Sequence, residues 1–184
     1  MCIRDRNDIV SYESAVHRVR IDLNKDANGY QTAQYSDPNT SDFHNGDSIK
    51  DFEAVLGSNY NDILISGSED AQLEGGRGDD VFKDTDTSNG RNVYVFGASH
   101  GKDVVEDFKA GASGDVLSFQ RSVNGKVDFS DVLQYVKQVG SDVVIDTGLE
   151  EQITLKNTNV SNLTADNFSW DNSKLIQNSA GLAV

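Results

Sequence analysis

Between residues 57 and 82 one large apolar side chain recurs at every ninth position, each preceded by a run of small and polar residues. GSNYNDILI (57–65), SGSEDAQLE (66–74) and GGRGDDVFK (75–83) align so that the eighth place reads Leu64, Leu73, Phe82. Small residues open each unit, as Gly57-Ser58, Ser66-Gly67 and Gly75-Gly76, and the sixth place reads Asp62, Ala71, Asp80. Beyond Phe82 the rhythm slips by three residues before TSNGRNVYV (87–95) resumes it with Gly90, Asn92 and Tyr94. Upstream, NDIVSY begins as though in mid-repeat, with Asn7, Asp8 and Val10. Such a period predicts about six residues of turn, whose glycines allow left-handed backbone angles, followed by about three residues of very short strand. Three glycines within Gly75–Gly78 carry a large entropic cost, so the turn they build must gain something in return.

The flanks follow other periods. Alternation over Val19–Leu23 predicts a strand with Val19, Ile21 and Leu23 on one face. Residues 24–47 are polar and are expected to form a long loop. Within it NKDANG (24–29) mimics the start of an EF-hand loop, but Tyr35 occupies the twelfth place and a turn is the better reading. DVLSF (115–119) reads as a strand. FSDVLQYVKQV (129–139) reads as a short helix with Ser130 as N-cap and Val132, Leu133, Val136 and Val139 on one face. DVVID (142–146), a turn at Thr147-Gly148 and QITL (152–155) read as a hairpin. A last short strand bears Phe168 and Trp170, the latter as a core plug.

The unit G-G-x-G-x-D-x-U-x, near-perfect in GGRGDDVFK, resembles the nonapeptide of the RTX, or hemolysin-type calcium-binding, family. Two flanking segments are similar to the same family. One is the lead-in Ile49, Phe52, Glu53, Val55, Gly57, and the other is VYVFGASHGKDVVEDFKAG (93–111). The resemblance implies an all-β chain: a short parallel β-roll, two nonapeptides per coil, followed by a C-terminal β-rich cap with one short helix. It divides the chain into a degenerate roll at 7–94, a cap at 95–170 and a tail at 171–184 that serves as an uncleaved signal for type I secretion or simply frays.

The resemblance also implies calcium between turns that lie 18 residues apart, because glycine turns let carbonyls converge and aspartate supplies the hard anionic oxygen that Ca²⁺ prefers. Asp62 and Asp80 are then expected to share an ion, with carbonyls from Gly57, Asn59, Gly76 and Gly78. On the other edge Ala71 replaces the ligand, leaving a lost site or an irregular one from Asp70, Asp84 and Asp86. Asp103 and Asp107 are candidates for a further ion at the end of the roll, or equally for turn caps. The alternative for Asp62 and Asp80 is a roll that folds without metal, their carboxylates capping backbone N–H groups.

Composition narrows the partners. Lys plus Arg number 16 against 30 Asp plus Glu, a formal charge of -14 that disfavours nucleic acid and anionic membranes and suits a divalent cation. The same charge also fits a merely soluble acidic protein. A single cysteine, Cys2, allows no internal disulfide. No apolar run reaches the length of a membrane span, and no N-terminal stretch has the form of a secretory signal. The opening MCIRDR (1–6) reads as a translated adaptor or a cloning scar.

His100, alone in a Gly/Ser turn, reads as a turn residue. We read no HExxH, no GxSxG and no Cys–His set in the sequence, so the chain is expected not to be an enzyme, with any catalytic domain upstream. The leading expectation is a secreted, extracellular calcium-binding module that folds on meeting calcium outside the cell and accompanies type I secretion of a larger protein. The alternative is a polysaccharide- or surface-binding module, for which Arg18, Arg20, Lys25 and Tyr30 form the only nearby cluster.

Overall fold

The computed structural model describes residues 8–36, 42–67, 70–85 and 90–170. Asp86, the opening segment 1–6 and the tail 171–184 lie outside the described residues. Short strands alternate with turns throughout. The first eight are β1 (Ile9–Ser11), β2 (Val19–Asp22), β3 (Gln31–Ser36), β4 (Phe43–Ile49), β5 (Ala54–Leu56), β6 (Ile63–Ser66), β7 (Gln72–Glu74) and β8 (Val81–Asp84). Next come β9 (Val93–Phe96), β10 (Lys102–Glu106), β11 (Val116–Phe119) and one helix, α1 (Phe129–Val132). The chain continues with β12 (Val136–Val139), β13 (Asp142–Gly148), β14 (Glu151–Leu155) and β15 (Phe168–Ser169).

Successive strands from β5 to β11 fall alternately into two sheets. One runs β1-β5-β7-β9-β11-β15 and is parallel at every pairing. The other runs β12-β13-β14-β10-β8-β6-β2-β3-β4; its centre is parallel and its two ends are antiparallel. Two strands and two turns thus make one coil of a parallel β-roll. The nine-residue rhythm sets the register, since Val55 pairs with Leu73 and Leu64 with Phe82. The three-residue slip appears as Leu73 paired with Tyr94, and a further widening pairs Phe82 with Val105.

The eighth-place residues all point between the sheets: Leu64, Leu73, Phe82 and Tyr94 are at most 1% exposed. Burying each is worth about 1.5–3 kcal/mol, which three-residue strands need because no single hairpin of them stands alone. Phe82 meets Tyr94 and Phe96 edge to face at 5.6 and 5.8 Å between ring centroids. Trp170 is half-buried, stacked on Phe119 at 5.8 Å, and does close the end of this core.

Four expectations are corrected. The loop expected at 24–47 contains β3 and β4, which extend the second sheet as an antiparallel β2-β3-β4 meander. NKDANG is the β2–β3 turn, closed by the Tyr30 and Asn28 amides on the Asp26 carboxylate, both at 2.8 Å. The boundary expected at 94/95 falls inside β9, and both sheets run through it.

The helix expected over 129–139 stops at Val132, is capped by Asp128 rather than Ser130, and passes through one 3-10 turn into β12. Pairing of Val136 with Ile145 outweighs the helical period, and leaves Leu133 and Val139 exposed. Finally, the β13–β14 turn is Leu149-Glu150, both at positive φ (57° and 68°), while Thr147 is a buried strand residue.

Candidate functional site

On one edge of the roll the turns 57–62, 75–80 and 97–101 stack. Gly76 and Gly78 sit at φ +97° and +120°, and a Cβ there would lie 2.3 Å from the Ser58 carbonyl oxygen and 2.7 Å from that of Tyr60. Only glycine fits, on both backbone angle and space. Backbone oxygens of one turn therefore face the backbone of the next.

A ladder of buried aspartates runs through these turns. Asp62 accepts from the Val19 amide (2.8 Å) with Oδ1 and from the Ser58 amide (2.5 Å) with Oδ2. Its own amide donates to Asp80 Oδ1 at 2.8 Å, and the Asp80 amide donates to Asp103 Oδ1 at 2.9 Å. Asp103 Oδ2 lies 2.6 Å from His100 Nδ1, and His100 Nε2 lies 2.9 Å from Thr147 Oγ1. Glu151, ion-paired with Arg121, stands 3.6 Å beyond that nitrogen. The ladder ties every coil of this edge to the β13–β14 hairpin. A shorter outer ladder runs beside it, from the Asp79 amide to Asn61 Oδ1 (3.0 Å) and from the Lys102 amide to Asp79 Oδ1 (2.8 Å).

Burial dominates the electrostatics. It pushes the Asp62 carboxyl up to about 6 despite the amides that favour its ionised form. Asp80 is pushed up to about 9, by burial first and then by the charges of Asp103, Asp62 and Asp79. Asp103 rises to about 8 through burial, and burial lowers His100 to about 4, with Arg121 adding to the effect.

One atom stands out. Asp80 is 1% exposed, yet its Oδ2 has no hydrogen-bond partner. It points at Gly75, where a Cβ would sit 2.0 Å away. Leaving such an oxygen unsatisfied is costly, and a proton or a cation relieves the cost.

The second edge has its own ladder. The Ala71 amide donates to Asn92 Oδ1 (3.0 Å), and the Asn92 amide to Asp115 Oδ1 (2.9 Å). Burial pushes Asp115 up to about 6. None of His100, Asn92, Thr147 and Asp115 was singled out for a ladder from the sequence. The signal that finds most of the rungs is a short one: an Asp or Asn two residues ahead of a buried apolar strand residue, directly before the strand in four cases and at the second place of β10 for Asp103. It reads Asp62-Ile-Leu, Asp80-Val-Phe, Asn92-Val-Tyr, Asp103-Val-Val and Asp115-Val-Leu, whatever the length of the turn between them.

The expected ligands distribute unevenly. Asp62, Asp80 and Asp103 come together on the first ladder. Gly57, Gly76 and Gly78 lie in its stacked turns, whereas the Asn59 side chain is exposed and donates to the Glu13 carbonyl at 3.2 Å. Asp70 is exposed and accepts from the Arg91 amide at 2.8 Å. Asp84 is buried beside Lys109, and Asp107 is exposed at φ 62°. Among the described residues no group of three or more His, Cys, Asp or Glu side chains is arranged to hold a metal ion by itself. Any ion on this edge must therefore take backbone oxygens. For that the residues fit: a buried carboxyl oxygen without a partner, beside stacked turns whose carbonyls face the next turn, offers hard oxygens of the kind calcium takes.

Two arrangements have the form of catalytic motifs, one of them a G-x-S-x-G that corrects the reading of none in the sequence. Gly97-Ala98-Ser99-His100-Gly101 has G-x-S-x-G spacing, and Ser99 is exposed at φ 62°. It joins strand to strand rather than strand to helix, and both nitrogens of the neighbouring imidazole are engaged elsewhere, so nothing there activates the hydroxyl. Asp103, His100 and Thr147 align as acid, imidazole and hydroxyl, but Thr147 is 3% exposed inside β13, closed to a substrate.

No family model matches the chain, and no curated protein matches it. Among solved structures it is similar to the extracellular lipase LipA from Serratia marcescens, at 17% identity and a TM-score of 0.48, over 89% of this chain and 32% of the lipase. The chain thus spans about a third of that lipase's length.

Proposed function

We propose that this chain is a non-catalytic, calcium-binding β-roll module of a secreted protein. The observation that carries the reading is the buried, unpartnered Oδ2 of Asp80 in a stack of glycine turns. Asp80 would hold the ion together with turn carbonyls. Asp62 and Asp103, whose oxygens already cap amides, would align the turns around it. Bound calcium would supply the positive charge that lets Asp80 ionise inside the fold, so that binding free energy becomes folding free energy.

The nonapeptide resemblance and the charge of -14 support the same reading. In calcium-poor surroundings the carboxylates repel and the glycine turns resist ordering, a state suited to export through a narrow channel. Millimolar calcium outside then closes the roll. Type I secretion and an extracellular location belong to this proposal.

A second reading is favoured by the completeness of the ladders: a roll that stands without metal, its aspartates acting as backbone caps. Circular dichroism of residues 8–170 during a calcium titration from chelator separates the two. A cooperative gain of β signal that is lost in Asp80→Asn is expected, because asparagine keeps the Oδ1 acceptor but removes the anionic oxygen. A spectrum already folded in chelator and unmoved by calcium would overturn the calcium reading.

A further inference from the structure

The two edges differ in where their positive charge comes from. The charges that raise Asp80 on the first edge, those of Asp103, Asp62 and Asp79, are all acidic. On the second edge Asp84, the last residue of β8, turns its side chain inward, 1% exposed. Its Oδ1 accepts from Ser66 Oγ at 3.0 Å, the cross-strand neighbour one coil earlier. Its Oδ2 lies 2.7 Å from the ammonium of Lys109, which also reaches the Gly90 carbonyl at 3.5 Å.

Lys109 does not arrive there on a loose stem. Its amide donates to Asp115 Oδ2 at 2.8 Å, and its carbonyl accepts from the Asp115 amide at 2.7 Å. Phe108 beside it is in the core, 7% exposed. Asp115, a rung of the second ladder, thus fixes the backbone from which the ammonium is presented. A carboxylate and a backbone carbonyl arranged around one positive charge place hard oxygens about a cation. Here the cation is covalently tethered.

We propose that the Lys109 ammonium is the resident cation of this corner, neutralising buried Asp84 from within the chain so that the second edge closes without an external ion. The proposal does not rest on calcium at the first edge, and it assigns any dependence on added calcium to the first edge alone. It also makes the corner a latent site. With the ammonium removed, a small cation that donates hydrogen bonds should enter in its place, through the side on which Lys109 is 31% exposed.

The test is urea denaturation, at one fixed calcium concentration that keeps the wild type folded, of the wild type, Lys109→Ala and the double variant Asp84→Asn/Lys109→Ala, with methylammonium chloride as the probe. Lys109→Ala strands a buried carboxylate and is expected to lower the folded-to-unfolded ratio roughly a hundredfold. Methylammonium is expected to restore part of that loss, and tetramethylammonium at equal ionic strength none of it, because it has no N–H to donate. The double variant, with no charge to neutralise, should recover most of the loss. If Lys109→Ala does not fold, the double variant decides: folded supports the proposal, unfolded overturns it. Lys109→Ala within about twofold of wild type would also overturn it. Wild-type response to calcium plays no part in this outcome and tests the first edge separately.

Discussion

The backbone amide of Asp80 donates to Oδ1 of Asp103 at 2.9 Å across 23 residues of chain, and the other oxygen of Asp103 meets His100. This contact joins the regular coils to the hairpin that closes them. Asp103→Ala removes both acceptors at once, leaving a buried amide and a buried imidazole nitrogen unpaired. A loss of about 2–4 kcal/mol in urea denaturation is expected, with Asp103→Asn, which keeps the amide's acceptor, losing less.

Proton linkage gives the metal-free roll an unusual pH profile. Asp62, Asp80 and Asp103 have folded values near 6, 9 and 8 against an ordinary 3.8, so the folded state holds protons that the unfolded chain has released. Their contribution is full below about pH 4 and is lost as pH rises towards 9. His100 opposes this between 6.5 and about 4, where only the unfolded chain gains its proton. The two effects separate above 6.5, so on the reading in which the roll stands without metal, its urea midpoint in chelator should fall steadily from pH 6.5 to 9. A flat or rising midpoint over that window would contradict the assignment.

Gly76→Ala should cost roughly 2 kcal/mol or more, since φ +97° is strained for alanine and the new methyl would press on the Ser58 carbonyl. Gly111→Ala is the control: φ is +111°, but nothing lies within 4 Å, so the backbone strain appears without the clash. The difference between the two, read by thermal denaturation, measures how tightly the turns stack.

The β13–β14 turn offers a gain. Leu149 is 84% exposed at φ 57°, and Glu150 follows at φ 68°, angles that suit Asn-Gly rather than Leu-Glu. Leu149→Asn/Glu150→Gly should raise stability by about 1 kcal/mol without altering calcium response.

The periodic core was legible in the sequence because Leu64, Leu73 and Phe82 repeat at the spacing of the strands that carry them. The three-residue slip was legible too, because Asn92 and Tyr94 resume the same order. Strands β3 and β4 were not. Their residues Gln31–Ser36 and Phe43–Ile49 are too polar to signal a sheet, which exists because β2 offers an edge to pair with. Of the site, Asp62 and Asp80 were legible from the motif, whereas Asp103 receiving the Asp80 amide, and Lys109 pairing with Asp84, depend on coils 23 residues or more apart in register and on turns of irregular length.

The ladders have a direction. The Val19 amide is served by Asp62, that of Asp62 by Asp80 and that of Asp80 by Asp103; on the second edge Ala71 is served by Asn92 and Asn92 by Asp115. In each of these buried rungs the acceptor comes later in the chain than the donor, whereas in the exposed outer ladder, from Asp79 to Asn61 and from Lys102 to Asp79, it comes earlier. The two ends are therefore not equivalent to loss. Trimming from the front discards donors and leaves the buried rungs of the remaining coils complete, whereas each coil removed from the back orphans a buried amide in the coil before it. A nascent chain meets the same asymmetry in time, because no coil can be completed until the next has been made.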